Sequence, residues 1–332
     1  MIDTIYYEED IFDHPTAMHV RKALPRADWF PIRNYQELFN KRHQNFRLQK
    51  KQPKLILARK HGNFVLPVPS GFGMDAKKNF YFSHMYNCLY DCKYCFLQGL
   101  YSSANFVLFV NYEDFFQAIS DSIERCKGNA ITFFSGYDCD SLAFDKISGF
   151  ASQALNFFSQ HPEVELELRT KSIAVNSLFA REALPNCIIA FSLSPSKISD
   201  ALDHRSPSLV RRVNTLKKLA KCGWKIGLRF DPLIYCEDWE ELYSELIEVI
   251  MQDLDDTNIH SVSYGPLRFP KKMYKKIVNL RPHEKLYAFP MVEKNSVISY
   301  GSKIETRMHS FLQLQLRKFV PKNKVFQCVV SN

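Results

Sequence analysis

The stretch Cys88-Leu89-Tyr90-Asp91-Cys92-Lys93-Tyr94-Cys95 places three cysteines on one short loop with C-x3-C-x2-C spacing. A cubic four-iron cluster normally takes four cysteine thiolates, so three would leave one iron with an open position for a guest. A second reading adds His84, four residues before Cys88, to make a tetrahedral zinc site of three sulfurs and one nitrogen. Structural zinc sites usually grow from two ligand pairs, and no second C-x2-C knuckle occurs elsewhere in the chain.

Outward from the loop, strand and helix patterns alternate. Asn79 to His84 reads as a strand entering the cysteines, and apolar extended runs recur at Phe106 to Val110, Ala130 to Phe134, Val164 to Arg169, Cys187 to Leu193, Trp224 to Phe230 and Ile259 to Tyr264. Helical spacing of apolar residues marks Tyr112 to Cys126, Ala143 to Ser159, Ser208 to Lys221 and Trp239 to Met251. Such alternation predicts an α/β fold of βα units around a parallel sheet, here a partial (β/α)6 barrel of the TIM type. Chemistry is then expected at the carboxyl ends of the strands. Three regions follow: an N-terminal extension over 1–75, basic in its second half and closing on Pro67-Val68-Pro69-Ser70-Gly71-Phe72-Gly73; the barrel over 76–265; and a C-terminal, substrate-side helical cap over 266–332. The cap holds a predicted helix, Lys303 to Phe319, and a short strand, Lys324 to Val330.

Composition sets the outer bounds. The chain has 332 residues, 46% of them hydrophobic, which excludes a disordered protein and suffices for a large core. Its opening residues, Met-Ile-Asp-Thr-Ile-Tyr-Tyr-Glu-Glu-Asp, lack the basic start and apolar run of a secretory signal, and no window approaches the roughly 20 apolar residues of a membrane span. A cytoplasmic protein without a membrane partner is expected. Nine cysteines, an odd number without framework spacing, suit a reducing compartment and no disulfides. The net charge of +9 points toward a polyanion. Between Lys41 and Lys60 there are eight Lys or Arg and no acidic residue, which reads either as phosphate contact or as a solvated face. Arg268 to Lys276 interleaves basic residues with Phe269 and Tyr274, as in strands that stack single-stranded bases, or in an ordinary amphipathic helix.

With these residues in view, the chain resembles the radical S-adenosylmethionine superfamily and, within it, the spore photoproduct lyase family. The likeness runs through Cys88 to Gln98, with Tyr94-Cys95-Phe96-Leu97-Gln98 at its centre, and through Phe109-Val110-Asn111. It resumes at Ser135-Gly136-Tyr137-Asp138-Cys139-Asp140-Ser141, Arg169-Thr170-Lys171, Phe191-Ser192-Leu193-Ser194, Gly223 to Gly227, Pro232 to Tyr235, Arg268-Phe269 and Tyr300-Gly301-Ser302-Lys303. The resemblance implies a [4Fe-4S] cluster on Cys88, Cys92 and Cys95 whose open iron chelates S-adenosyl-L-methionine. It also implies Tyr94 against the adenine, Ser135-Gly136 at the amino group, and Lys171 and Ser192 at the methionyl carboxylate. Outside the family pattern, Lys171 reads as an exposed strand-end lysine and Ser192 as a satisfied core hydroxyl.

The implied reaction reverses a methylene-bridged thymine dimer in DNA. It is started by hydrogen abstraction and ended by hydrogen return from a cysteine thiol, with electrons from a donor such as a flavodoxin or ferredoxin and no obligate protein partner. Cys139 is the thiol candidate. Aligned on Asp140, it stands where the family has a serine, and Tyr137 stands where the family has its cysteine; two positions apart on an extended segment, both share one face. Phe96 replaces a tyrosine of the family's hydrogen relay, leaving Tyr137 to supply a phenol. Arg268, Tyr300 and Lys303 are candidates to hold the lesion, with Ser299 in place of a family arginine. Two alternatives stay open: the same chemistry on a different substrate, and a zinc-stabilised nucleic-acid-binding protein without turnover.

Overall fold

Strands buried on both faces, such as Val164–Thr170 and Cys187–Ser192, can only sit in the middle of a covered parallel sheet. In the computed structural model, which describes residues 2–69, 73–74 and 77–328, they do. Six strands run parallel in chain order: Lys78–Phe82, Ile131–Ser135, Val164–Thr170, Cys187–Ser192, Lys225–Leu233 and Ile259–Pro266. Val325–Gln327 extends the last of them in parallel and Leu66–Pro67 borders the first in antiparallel. The sheet curls into a half-barrel whose two end strands each have a single partner. Helices cover its outer face. Tyr112–Arg125, for example, buries Tyr112, Phe115, Ile119 and Ile123 at helical spacing. Among the described residues, no helix is long and apolar enough to cross a membrane.

Two expectations change. The helix expected over Ala143 to Ser159 is two helices, Asp145–Ser148 and Phe150–Phe158, separated by Gly149 at φ 63°. Continuous apolar spacing conceals this break, because a left-handed residue ends a helix without disturbing the pattern around it. The strand expected over Phe106 to Val110 exists, as Phe106–Phe109, but it belongs to a second sheet. That sheet orders Asp28–Ile32, Thr4–Glu8, Leu55–Ala58, Phe106–Phe109 and Met85–Tyr86. Alternation identifies strands but not the sheet each one joins. The cap, besides helices Lys271–Leu280 and Ser302–Leu316, carries a three-stranded antiparallel sheet of Arg268–Pro270, Val297–Ser299 and Val292–Lys294. Ser70–Phe72 of the proposed boundary and Val329–Val330 of the last expected strand lie outside the described residues.

The basic tract Lys41–Lys60 is mostly turned inward. Arg47 forks onto Asp91 at 2.9 and 3.1 Å, Lys54 meets Asp3 at 2.8 Å, and Arg59 lies between Asp10 and Asp114. Lys50 and Lys60 are buried, leaving Lys41, Arg42 and Lys51 exposed. Inside the half-barrel, Arg229 binds Glu167 at 2.6 and 3.1 Å and Ser261 at 2.8 and 3.0 Å, all of them buried. A Cβ at Gly227 would stand 2.8 Å from the Arg229 guanidinium and 2.9 Å from Ala190. Only glycine leaves room for this pair.

Candidate cluster and cofactor site

The cysteine loop is held by its carbonyls. The Gln98 amide donates to the carbonyls of Cys92, Lys93 and Cys95 at 3.1, 2.9 and 3.1 Å, Tyr287 donates to Lys93 at 2.5 Å, and Lys50 donates to Cys88 at 2.7 Å. Arg281 ties Gln98 and Asp91 together at 2.7 Å each, and Asp91–Cys92 pairs antiparallel with Asp203–His204. With its polar backbone occupied from outside, the loop is left to present its sulfurs. All three thiols are free; Cys92 is buried and Cys88 and Cys95 are half-buried. Burial, with Asp140 adding to it, pushes the Cys88 thiol up to about 12, and burial likewise raises Cys92 and Cys95. A metal centre bound here would take up such sulfurs as thiolates and offset the cost of burying their charge. Three cysteine thiols on one clamped loop are the donor type that an iron–sulfur cluster takes.

His84 does not join the sulfurs. Its ring is stacked on Phe150 at 3.7 Å and 4°, and its pKa falls to about 3 because burial penalises the charged form. Below pH 6.5 the unfolded chain takes up a proton that the folded ring refuses until about pH 3. The stability this ring confers is thus full above pH 6.5 and declines as pH falls from 6.5 toward 3. Replacing it (His84→Phe) is expected to narrow the gap to the parent by up to about 1.4 kcal/mol for each pH unit below 6.5. Urea unfolding at pH 7 and pH 5 reads this out, and a gap independent of pH would exclude a neutral buried ring.

Beside the loop lies a polar cluster at the strand ends. Lys171 reaches the Tyr94 hydroxyl at 2.7 Å and the Cys92 sulfur and Asp203 at 3.3 Å each, with its ammonium 4.9 Å from the Tyr94 ring. Tyr94 also donates to Asp203, and Arg212 joins Asp203 at 3.1 Å and the Ser192 carbonyl at 2.9 Å. Burial alone would raise the Asp203 carboxyl, but Lys171 and Arg212 outweigh it and hold it low. The same pairing, with Cys92, keeps Lys171 protonated against burial. Tyr94 thus packs beneath Lys171, and Ser192 stands half-buried at its strand end.

On the adjacent strand end, the Ser135 hydroxyl is buried with no hydrogen-bond partner among the described residues, and Gly136 turns at φ 87°, where a Cβ would fall 2.5 Å from Ser141 Oγ. An unfilled donor beside a backbone that only glycine permits fits a small polar ligand such as S-adenosylmethionine. Asp140 then anchors the following turn, accepting from Leu142, Ala143, Thr170 and the Lys171 amide at 2.6–3.0 Å. Cys139 is buried on this turn. Burial, with Cys88 and Asp138 adding to it, drives its thiol pKa upward, so the sulfur keeps its hydrogen. Tyr137 stacks on Tyr81 at 4.3 Å and meets the Phe96 ring edge-on at 5.9 Å. Its phenol therefore stands on the wall that Phe96 lines.

The candidates for lesion contact are engaged locally. Arg268 forks onto Asp231 at 3.0 and 3.1 Å, the Tyr300 hydroxyl accepts from the Tyr235 amide at 3.0 Å, and Lys303 is exposed in the first turn of Ser302–Leu316. Ser299 donates to the Leu267 carbonyl at 2.7 Å and contacts Glu305 at 2.5 Å. Asp203, Arg212 and Lys50 were given no role at the site from sequence. Lys171 and Tyr94 reach Asp203 across 32 and 109 residues, Arg212 reaches Ser192 across 20 and Lys50 reaches Cys88 across 38, where no local spacing marks them.

The half-barrel and the three-cysteine loop at its strand ends define a protein of the radical S-adenosylmethionine class. The spore photoproduct lyase family model matches residues 75–325, and the chain belongs to that family. It is 23% identical over 240 residues to the spore photoproduct lyase of Clostridium acetobutylicum, covering 72% of this chain and 66% of that protein. To the spore photoproduct lyase of Bacillus subtilis it is 23% identical over 202 residues, covering 60% and 59%. The matched segments thus span just under two thirds of these relatives. Among solved structures, a spore photoproduct lyase mutant with bound AdoMet and dinucleoside spore photoproduct superposes with a TM-score of 0.84 at 16% identity, covering 100% of this chain and 99% of that one. Streptococcus suis SuiB bound to its precursor peptide SuiA shares the fold more loosely, with a TM-score of 0.51 at 13% identity over 72% of this chain and 47% of SuiB.

Proposed function

We propose that this protein is a radical S-adenosylmethionine lyase that repairs a spore photoproduct-type thymine dimer in DNA, in the cytoplasm, with electrons from a flavodoxin or ferredoxin. One observation carries the reading: three cysteines without disulfides on a clamped loop lie near the Ser135 hydroxyl, which has no hydrogen-bond partner among the described residues, the Gly136 turn and the buried Cys139. When bound, the cluster on Cys88, Cys92 and Cys95 and its S-adenosylmethionine would supply a carbon radical able to take hydrogen from the lesion. The chain's own residues do the rest. Lys171 offers a fixed positive charge for a carboxylate, and Ser135, Gly136 and Ser192 line the rest of the cofactor's cradle, with Tyr94 as its aromatic support. Cys139 holds a hydrogen on sulfur, a weaker bond than the C–H it would form, in a pocket closed to water. Tyr137, two residues before Cys139, would restore that hydrogen. Arg268, Tyr300 and Lys303 frame the lesion from the cap.

A second reading keeps this chemistry and changes the substrate. Phe96, Tyr137 and Ser299 favour it, since each alters a position in the family's relay or lesion pocket. Anaerobic reconstitution, reduction and incubation with S-adenosylmethionine and ultraviolet-irradiated DNA decide between them by mass analysis of the thymine products. Loss of spore photoproduct with gain of thymine is expected. Release of 5′-deoxyadenosine without thymine gain would favour the second reading, and a colourless protein that retains zinc would overturn both.

A further inference from the structure

The short helix Phe46–Lys51 lies in the N-terminal region, yet two of its side chains serve the cysteine loop. Arg47 and Lys50, three residues apart and so on one face, reach Asp91 and the Cys88 carbonyl. Lys50 is 5% exposed, with its ammonium 2.7 Å from that carbonyl and 5.6 Å from the face of the Phe106 ring. Its own carbonyl accepts from Arg205 at 2.9 Å, which pins the helix to the turn following Asp203–His204. Burial works against the Lys50 ammonium and lowers its pKa; the Asp91 carboxylate opposes this, as would the Cys88 and Cys95 sulfurs once they hold a cluster as thiolates, and Arg205 is the like-signed neighbour.

A lysine is a costly choice for this job. Any backbone donor could satisfy one carbonyl, whereas a buried ammonium carries a desolvation cost that only nearby negative charge offsets. Three thiolates and a cluster are such a charge, and it grows by one when the cluster takes an electron. The potential of an iron–sulfur centre depends on the charge around it, on hydrogen bonds and on exposure to water. We propose that Lys50 is an electrostatic positioning residue for the cluster, stabilising its reduced form and so raising the potential at which a low-potential one-electron donor can load it. The electron comes from the donor, which is oxidised as the cluster is reduced; no proton or bond to Lys50 changes. The inference rests on the cluster reading above and adds a role for the N-terminal region that the family's cysteine motif does not contain.

The test is a redox titration of anaerobically reconstituted full-length protein, followed by electron paramagnetic resonance of the reduced cluster, with iron and sulfide counted per chain. Lys50→Gln keeps an N–H donor near Cys88 and removes the charge; Lys50→Arg keeps the charge; Lys51→Gln removes an exposed charge from the same helix. For Lys50→Gln, the ratio of reduced to oxidised cluster at fixed solution potential is expected to fall about tenfold, equivalent to about 59 mV for one electron. Lys50→Arg and Lys51→Gln are expected to titrate with the parent. A Lys50→Gln protein that takes up no iron, beside a Lys50→Arg protein that loads and titrates normally, also supports the charge requirement. The proposal is overturned by a parental midpoint in Lys50→Gln, by an equal shift in Lys51→Gln, or by loss of iron in both Lys50 variants. A parent protein that binds no four-iron cluster would instead bring down the cluster reading itself.

Discussion

Cys139→Ala is expected to release 5′-deoxyadenosine at close to the parental rate while its yield of repaired thymine falls to a small fraction of the parental yield. The two readouts separate because the Cys139 sulfur takes no part in holding the cradle. Ser135, Gly136 and Lys171 form the cradle, and Asp140 ties their turn to Lys171 by accepting four hydrogen bonds, none of them from Cys139. Losing one sulfur from a buried position leaves that anchor intact. What is lost is the thiol of the turn, held with its hydrogen chiefly by burial. A product radical without that donor reacts with whatever reaches it, so the missing thymine should reappear as adducts on the same strand. Tyr137→Phe should cut turnover less severely and chiefly after the first cycle, since the phenol would restore Cys139 rather than meet the lesion. Unchanged thymine yield in Cys139→Ala would remove this residue from the reaction, and unchanged multiple turnover in Tyr137→Phe would do the same for the relay.

The barrel was legible because its strands are apolar runs separated by amphipathic helices, and the cluster ligands were legible because they lie within eight consecutive residues. Helix Trp239–Met251 matches its sequence reading at both ends, since an apolar stripe fixes where a helix faces and where it stops. The second sheet was not legible. Phe106–Phe109 has the same composition as a barrel strand, and only tertiary pairing with Leu55–Ala58 assigns it. Nor were the residues that support the site. The Lys41–Lys60 tract looks on composition like a polyanion-binding arm, and its partners Asp3, Asp10, Asp91 and Asp114 are spread over more than a hundred residues. Lys171 shows the same limit, because a strand-end lysine carries no local mark of the buried aspartate 32 positions further on that fixes it.

Removing that carboxylate should have the largest effect on stability of any single substitution near the site. Asp203→Ala leaves Arg212, fully buried, and Lys171, 13% exposed at its side chain, as two positive charges with no acid between them. Breaking a buried pair from one side costs about 3–5 kcal/mol because the remaining charge is neither solvated nor matched. That is a large part of the ~5–15 kcal/mol by which domains are stable. The exposed pair Arg307–Glu240 provides the contrast: both partners are open to solvent, and Glu240→Gln should leave stability nearly unchanged. The acid limb carries the same signature. Asp203 is held below its ordinary value in the folded state, so its contribution is full above the usual carboxylate pKa and lost as pH falls through and beneath that value. Urea unfolding of parent and Asp203→Ala at pH 7 and pH 3 should therefore show a wide gap that narrows on acidification. A further consequence reaches the cofactor. Without Asp203, the Lys171 ammonium keeps Tyr94 and Cys92 as partners but loses its counter-ion, and should bind a cofactor carboxylate in its place; the variant is thus expected to be less stable without S-adenosylmethionine and to recover part of the loss when the cofactor is added. Equal stabilisation of parent and variant by the cofactor would show that Lys171 does not face its carboxylate.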